Sequence, residues 1–133
     1  MTATAYLTGL GRYLPGEPVG NEEVATRLGG VDTRTDRIRR RIQRANGIRQ
    51  RYYAMDEQGQ TTELNEELAV KALTSALADR GLAPTDLGML ACATTQGDLL
   101  VPGFASMVHG RLGGGPMQVL SATGVCASSI AAL

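Results

Sequence analysis

Apolar residues recur along this chain with helical spacing in some stretches and as short unbroken runs in others. Between Thr62 and Arg80, Leu64, Leu68, Ala72 and Ala76 fall four residues apart, with Ala69, Leu73 and Leu77 beside them. That spacing predicts an amphipathic helix, closed by Gly81 and Pro84. Leu87–Thr94 is a continuous apolar run bounded by turn residues, which predicts a strand buried on both faces. Pro102–Leu112 predicts a helix with Pro near its first turn and Gly113 just past its end. After the turn Gly113-Gly-Gly-Pro116, Met117–Ala122 predicts another strand and Cys126–Leu133 a helix of small residues. Upstream, Ala5–Tyr13 predicts an opening strand and Leu14–Gly20 a turn. Asn21 is the expected N-cap of a helix with Glu22 and Glu23 in its first turn, ending at Gly29-Gly30. A second helix is expected over Thr35–Ala45, stopped by Asn46-Gly47, then a short strand over Ile48–Ala54 and a polar loop over Glu57–Gln60. Strands alternating with helices imply an α/β fold with a largely parallel sheet. No stop signal follows the last helix, so the chain reads as the N-terminal part of something longer.

Composition narrows the class. The chain has 133 residues, 43% hydrophobic and 20% charged, which suits one globular domain with a core and argues against disorder. No apolar run is long enough to span a membrane, and the first residues lack the basic start of a secretory signal. Two cysteines, Cys92 and Cys126, are too few for a disulfide scaffold, so a reducing cytoplasm is expected. Formal net charge is zero, but eight arginines lie between Arg34 and Arg51 against the single acid Asp36, leaving the rest of the chain acidic. A patch of this kind is either a solvated helix face or the docking place of a localised anionic partner. Sparse aromatics argue against stacking on single-stranded nucleic acid.

The segment Val119–Leu133 carries the candidate chemistry. It reads as a strand, a tight Thr123-Gly124 turn, Cys126, and a helix rich in Ala and Ser. A cysteine at a helix N-terminus meets the positive dipole end, which favours the nucleophilic thiolate. The pattern follows the nucleophile-elbow logic of hydrolases with Cys in place of Ser; the competing reading is a buried structural cysteine. Cys92, inside the apolar run, reads as core, and His109, the single histidine, reads as structural. With one His and two Cys no metal site is expected, and no dinucleotide-binding glycine fingerprint opens a helix.

Four motifs, in order, resemble the β-ketoacyl-acyl-carrier-protein synthase III group of condensing enzymes, within the thiolase fold. They are Gly9-Leu-Gly-Arg-Tyr-Leu-Pro15, Gly47-Ile-Arg-Gln-Arg51, Leu90-Ala-Cys-Ala-Thr-Thr95 with Pro102 after it, and Gly124-Val-Cys-Ala-Ser-Ser129. The resemblance covers essentially the whole chain, as the N-terminal half of such an enzyme. It implies an αβαβα layered core and a homodimer, with Cys126 becoming an acyl-enzyme before condensation with a malonyl or β-ketoacyl thioester. The family's His and Asn would lie in the C-terminal half, and the chain alone would lack full activity. It implies acyl-coenzyme A or acyl carrier protein as substrate and partner, no further cofactor, and a place in fatty-acid or polyketide-type biosynthesis.

Two positions depart from the family pattern. The Trp and the Arg four residues later that sandwich adenine of coenzyme A fall at Arg41 and Ala45, which implies a primer other than acetyl-coenzyme A. The Phe before the helix Pro, which reaches the partner's acyl pocket, is Val101, which implies room for a longer or branched acyl group beside Thr94 and Thr95. The arginine patch, represented by Arg39, Arg40, Arg41, Arg44 and Arg49, is then expected to dock an acidic carrier protein. The alternatives are acyl transfer to an oxygen or nitrogen nucleophile, a non-catalytic partner subunit of an active homologue, and an anion-binding module without covalent chemistry.

Overall fold

The arginine-rich helix and the apolar helix fall in different parts of the structure. The computed structural model describes residues 4–27 and 33–133, and these divide into two units, Leu14–Glu63 and the residues up to Tyr13 together with Leu64–Leu133. Among the described residues, no helix is long and apolar enough to cross a membrane.

In the first unit, β1 (Val19–Gly20) pairs antiparallel with β2 (Gln50–Arg51), Val19 opposite Arg51. Between them lie the short α1 (Val24–Arg27) and the arginine-rich α2 (Thr33–Asn46). The expected strand over Ile48–Ala54 is reduced to the two residues of β2, because β1 offers only two residues to pair with. Asn21 does not cap a helix. Its amide donates to the Ile48 carbonyl at 2.8 Å and its Oδ1 accepts from Arg51 Nη1 at 2.6 Å, so it fastens the two strands and α1 starts only at Val24. The expected stop of that helix at Gly29-Gly30 lies outside the described residues. Asn46 closes α2 as expected, its Oδ1 accepting the Ile48 N–H at 2.9 Å. The polar loop over 57–60 is organised by Asp56, whose Oδ1 accepts the N–H groups of Gln58 and Gln60. Val19 and Val24 form the small buried centre, with the buried Gln43 of α2.

The second unit is layered. α3 (Asn65–Asp79) starts three residues later than its sequence pattern predicts. Glu67 accepts the Leu64 N–H at 2.8 Å and Asp98 accepts the Asn65 N–H at 2.8 Å, so two carboxylates satisfy its free donors at that point. β3 (Met89–Ala93) and β4 (Gln118–Ala122) run parallel, Met89 opposite Gln118 and Ala93 opposite Ala122, and α4 (Phe104–Leu112) connects them as a βαβ unit. α4 ends at Gly113, whose φ of 70° is the left-handed conformation that a glycine supplies cheaply. α4 packs on α3 and on both strands, and Leu77, Leu90, Ala105 and Val108 form the buried core. His109 Nε2 lies 3.1 Å from the Gly115 carbonyl in the glycine turn.

Two expectations are corrected in this unit. Ala5–Tyr13 is not a strand: it forms no ladder among the described residues and instead lies along α3. A Cβ at Gly11 would collide with the Ala72 carbonyl oxygen and the Ala76 nitrogen, so the glycine permits that close approach. The run at Leu87–Thr94 is a strand but is not buried on both faces. Leu90 is buried, whereas Met89 and, on β4, Val119 and Leu120 are exposed. Ser121 turns to α4, its Oγ accepting the Ala105 N–H at 2.8 Å; Leu120, the next residue, therefore faces the opposite side of the sheet.

Candidate active site

Cys126 follows β4 across a tight turn. Val125–Ala127 is a single 3-10 turn, and α5 (Ser128–Ala131) begins two residues after the cysteine. The helix expected to begin at Cys126 is thus displaced and only four residues long, so little macrodipole stands behind the thiol. The structure supplies access and backbone strain instead. Cys126 is exposed, and Val125 before it has φ 50°, a left-handed conformation that is rare for a β-branched residue. Holding such a residue costs about 1–3 kcal/mol and persists only where neighbours enforce it. Here the buried Ser128 donates its hydroxyl to the Val125 carbonyl at 2.7 Å, and the Ala127 N–H donates to the Gly124 carbonyl at 3.1 Å. Cys92, by contrast, is half-buried in β3, and burial pushes its thiol pKa up.

Beyond the carboxyl ends of β3 and β4 opens a cleft of about 650 Å³, where ligands of parallel α/β sheets bind. Thr94 and Thr95 line it. Ser121 and Thr123 from the β4 side, Asp98 from the loop, and Phe104 at the start of α4 line it too. The sequence reading missed these four residues. Only Thr123 and Ser121 carried a signal, as neighbours of the cysteine turn. Val101 is not among the lining residues; it is 83% exposed and Leu100 is 99% exposed. Leu99 and Leu100, not Val101, contribute the loop's apolar lining.

The arginine patch divides in two. Asp36 is the hub of the inward part, with Arg39 Nη2 and Arg40 Nε both donating to its carboxylate, the latter at 2.7 Å. These two guanidinium groups hold the Asp36 carboxyl below the ordinary carboxylate range, and Asp36 in turn raises Arg40. Arg39 also donates to the Asn21 carbonyl at 3.1 Å and its side chain is only 16% exposed, so it is engaged within the unit. Arg40 keeps more than half of its side chain in solvent, and Arg41, Arg44 and Arg49 are exposed. Beside them, Ile38 and Ile42 of α2, with Val24 and Tyr53, form a shallow apolar groove.

No protein-family model matches the chain. Over all 133 residues it is 38% identical to the β-ketoacyl-[acyl-carrier-protein] synthase III of Cereibacter sphaeroides, covering 38% of that protein. It is 35% identical over 127 residues to the protein of the same name from Rickettsia rickettsii, covering 36% of it. Among solved structures, a tetronic acid condensing enzyme superimposes with a TM-score of 0.74 at 26% identity, over 94% of this chain and 37% of that one. The 3-oxoacyl-[acyl-carrier-protein] synthase III of Aquifex aeolicus superimposes with a TM-score of 0.71 at 22% identity, over 92% of this chain and 36% of that one. The chain spans little more than a third of the length of the curated relatives it matches. It has the thiolase-like fold of the N-terminal part of the condensing enzymes and is similar along its whole length to β-ketoacyl-[acyl-carrier-protein] synthase III.

Proposed function

We propose that the protein carrying this chain is an acyltransferase of the ketosynthase III type with Cys126 as its nucleophile. The observation that carries this reading is the placement of Cys126: exposed, on a strained turn after β4, three residues along the chain from Thr123, which lines the cleft, Cys126 itself not being among the lining residues. The Cys126 thiolate attacks the carbonyl carbon of an acyl thioester. The tetrahedral oxyanion is held in part by the Cys126 backbone N–H, and its collapse expels the donor's thiolate, which takes up a proton. A malonyl thioester then loses CO2, and the resulting carbanion attacks the acyl-cysteine carbonyl. A carbon–carbon bond forms and the Cys126 thiolate is released. A β-ketoacyl thioester would instead be deprotonated between its carbonyls before the same attack.

The remaining parts of the reading follow the same resemblance. A C-terminal half of the protein supplies the His and Asn, two copies pair as a homodimer, and no cofactor takes part. Exposed Val101 serves the pocket of the second copy. Arg40, Arg41, Arg44 and Arg49 steer an acidic acyl carrier protein, while Arg39 acts indirectly by shaping α2. The setting is cytoplasmic fatty-acid or polyketide-type biosynthesis. Intact mass of the whole protein after mixing with acyl-coenzyme A and acyl-carrier donors tests the central step. A mass gain equal to the acyl group, lost in Cys126→Ala, is expected; no gain from any donor would overturn the reading.

A further inference from the structure

The loop 94–103, between β3 and α4, forms one wall of the cleft, yet its apolar residues do not anchor it. Leu99, Leu100 and Val101 are all exposed. Its middle is held by Asn65 of another element. Asn65, the first residue of α3, donates its backbone N–H to Asp98 Oδ2 at 2.8 Å. Its side-chain amide donates to Asp98 Oδ1 at 3.0 Å and to the Gln96 carbonyl at 3.3 Å. The Asp98 carboxylate thereby satisfies a helix donor that has no partner within α3 and sits at the favourable dipole end of a 15-residue helix. Thr94 braces the near end of the loop, its hydroxyl donating to the same Gln96 carbonyl at 2.9 Å.

The geometry points to Asn65 and Asp98 as a positioning pair that sets the loop 94–103, and through it the acyl chains the cleft accepts. Asp98 and Leu99 are neighbours in the chain, so releasing the carboxylate moves the apolar lining of Leu99 and Leu100 directly. Asn65 does not line the cleft; it acts through Asp98. The inference rests on the reading of Cys126 as the acylated residue.

The test uses the whole protein with Asn65→Ala, Asp98→Ala and the double variant, and a donor series of short, long and branched acyl thioesters. The readouts are Cys126 acylation rates for each donor, thermal midpoint, and hydrogen exchange of the loop amides. A misplacement of about 1 Å can cost up to ~100-fold, so a change of about tenfold in the long-to-short donor ratio is expected. The two single variants should share that change, the double variant adding little to either, because they break one clamp. Faster exchange should appear over 94–103 and not in β3. If wild type is acylated on Cys126 and the variants keep its donor ratio, with rates for every donor falling in step with the thermal midpoint, the pair is merely structural and the inference fails. If wild type gains no mass on Cys126 from any donor, the reading beneath it fails as well.

Discussion

Different forces give each of the two units its internal cohesion. The unit of Leu64–Leu133 with the N-terminal segment is a layered structure with Leu77, Leu90, Ala105 and Val108 at its centre. The unit of Leu14–Glu63 has two-residue strands, a small centre of Val19 and Val24, and nine arginines against eight acids in sequence. It is organised by directed polar contacts: Asn21 to Ile48 and Arg51, Asp36 to Arg39 and Arg40, and Asp56 to its own turn. Apolar packing holds a backbone to within fractions of an ångström, which suits the unit carrying the cysteine turn and the cleft. A charged surface suits encounter with a charged partner, which needs long-range attraction more than exact fit.

Replacing the cysteine sharpens this contrast most. Cys126→Ala should abolish acyl-enzyme formation entirely in the intact-mass assay, without lowering the thermal midpoint, since the side chain is exposed. Next in size is the core. Leu90→Ala should destabilise the intact protein by about 2–4 kcal/mol in denaturant unfolding. A substitution of Ile38, exposed on α2, should cost less than about 1 kcal/mol. Equal losses would erase the distinction between the units.

The two thiols give a third comparison. Iodoacetamide at neutral pH should modify exposed Cys126 about tenfold or more faster than Cys92, whose burial limits access and disfavours the thiolate. Peptide mass mapping over a time course reads the ratio. Fourth, Arg41→Glu with Arg44→Glu should slow carrier-delivered acylation several-fold at low ionic strength and much less near 0.15 M salt, where screening sets in over about 8 Å. A coenzyme-A-delivered donor should show the smaller change throughout.

The smallest effect concerns Asp36. Its pKa in the folded protein is lowered from 3.8 by its bonds to Arg39 and Arg40. The stabilisation it contributes is therefore present above that unfolded value and lost as pH falls through the lowered folded one. Acid unfolding of Asp36→Asn should lack this small component, leaving the two proteins closer in stability at low pH than at neutral pH.

Regular elements with strong local signals were legible in the chain itself. The row of Leu and Ala four apart located α3, Gly113 marked the end of α4, and the apolar run before Thr94-Thr95 located β3. So was the cysteine turn, because a small-residue segment after a strand has a recognisable order. Ala5–Tyr13 has the composition of a strand, but a strand exists only beside a hydrogen-bonding neighbour, and glycines let this one settle on α3 instead. Asn21 has the chemistry of a cap and was drawn away by partners 27 and 30 residues along the chain.

What the amino-acid order determined by itself was periodicity, turn chemistry, the charge imbalance around α2 and the turn that carries a cysteine after β4, all properties of neighbouring residues. What only the tertiary structure decided was how distant residues meet. Arg39 is engaged by Asp36 and Asn21 while Arg41 and Arg44 stay exposed; Ser121 reaches the start of α4; Asp98 closes on Asn65 across 33 positions of chain. Such pairs have no local signature, because their geometry is set by packing of α3, α4 and the β3–β4 sheet, or of α2 on its own unit, and the hydrogen bonds follow from where that packing leaves each donor and acceptor.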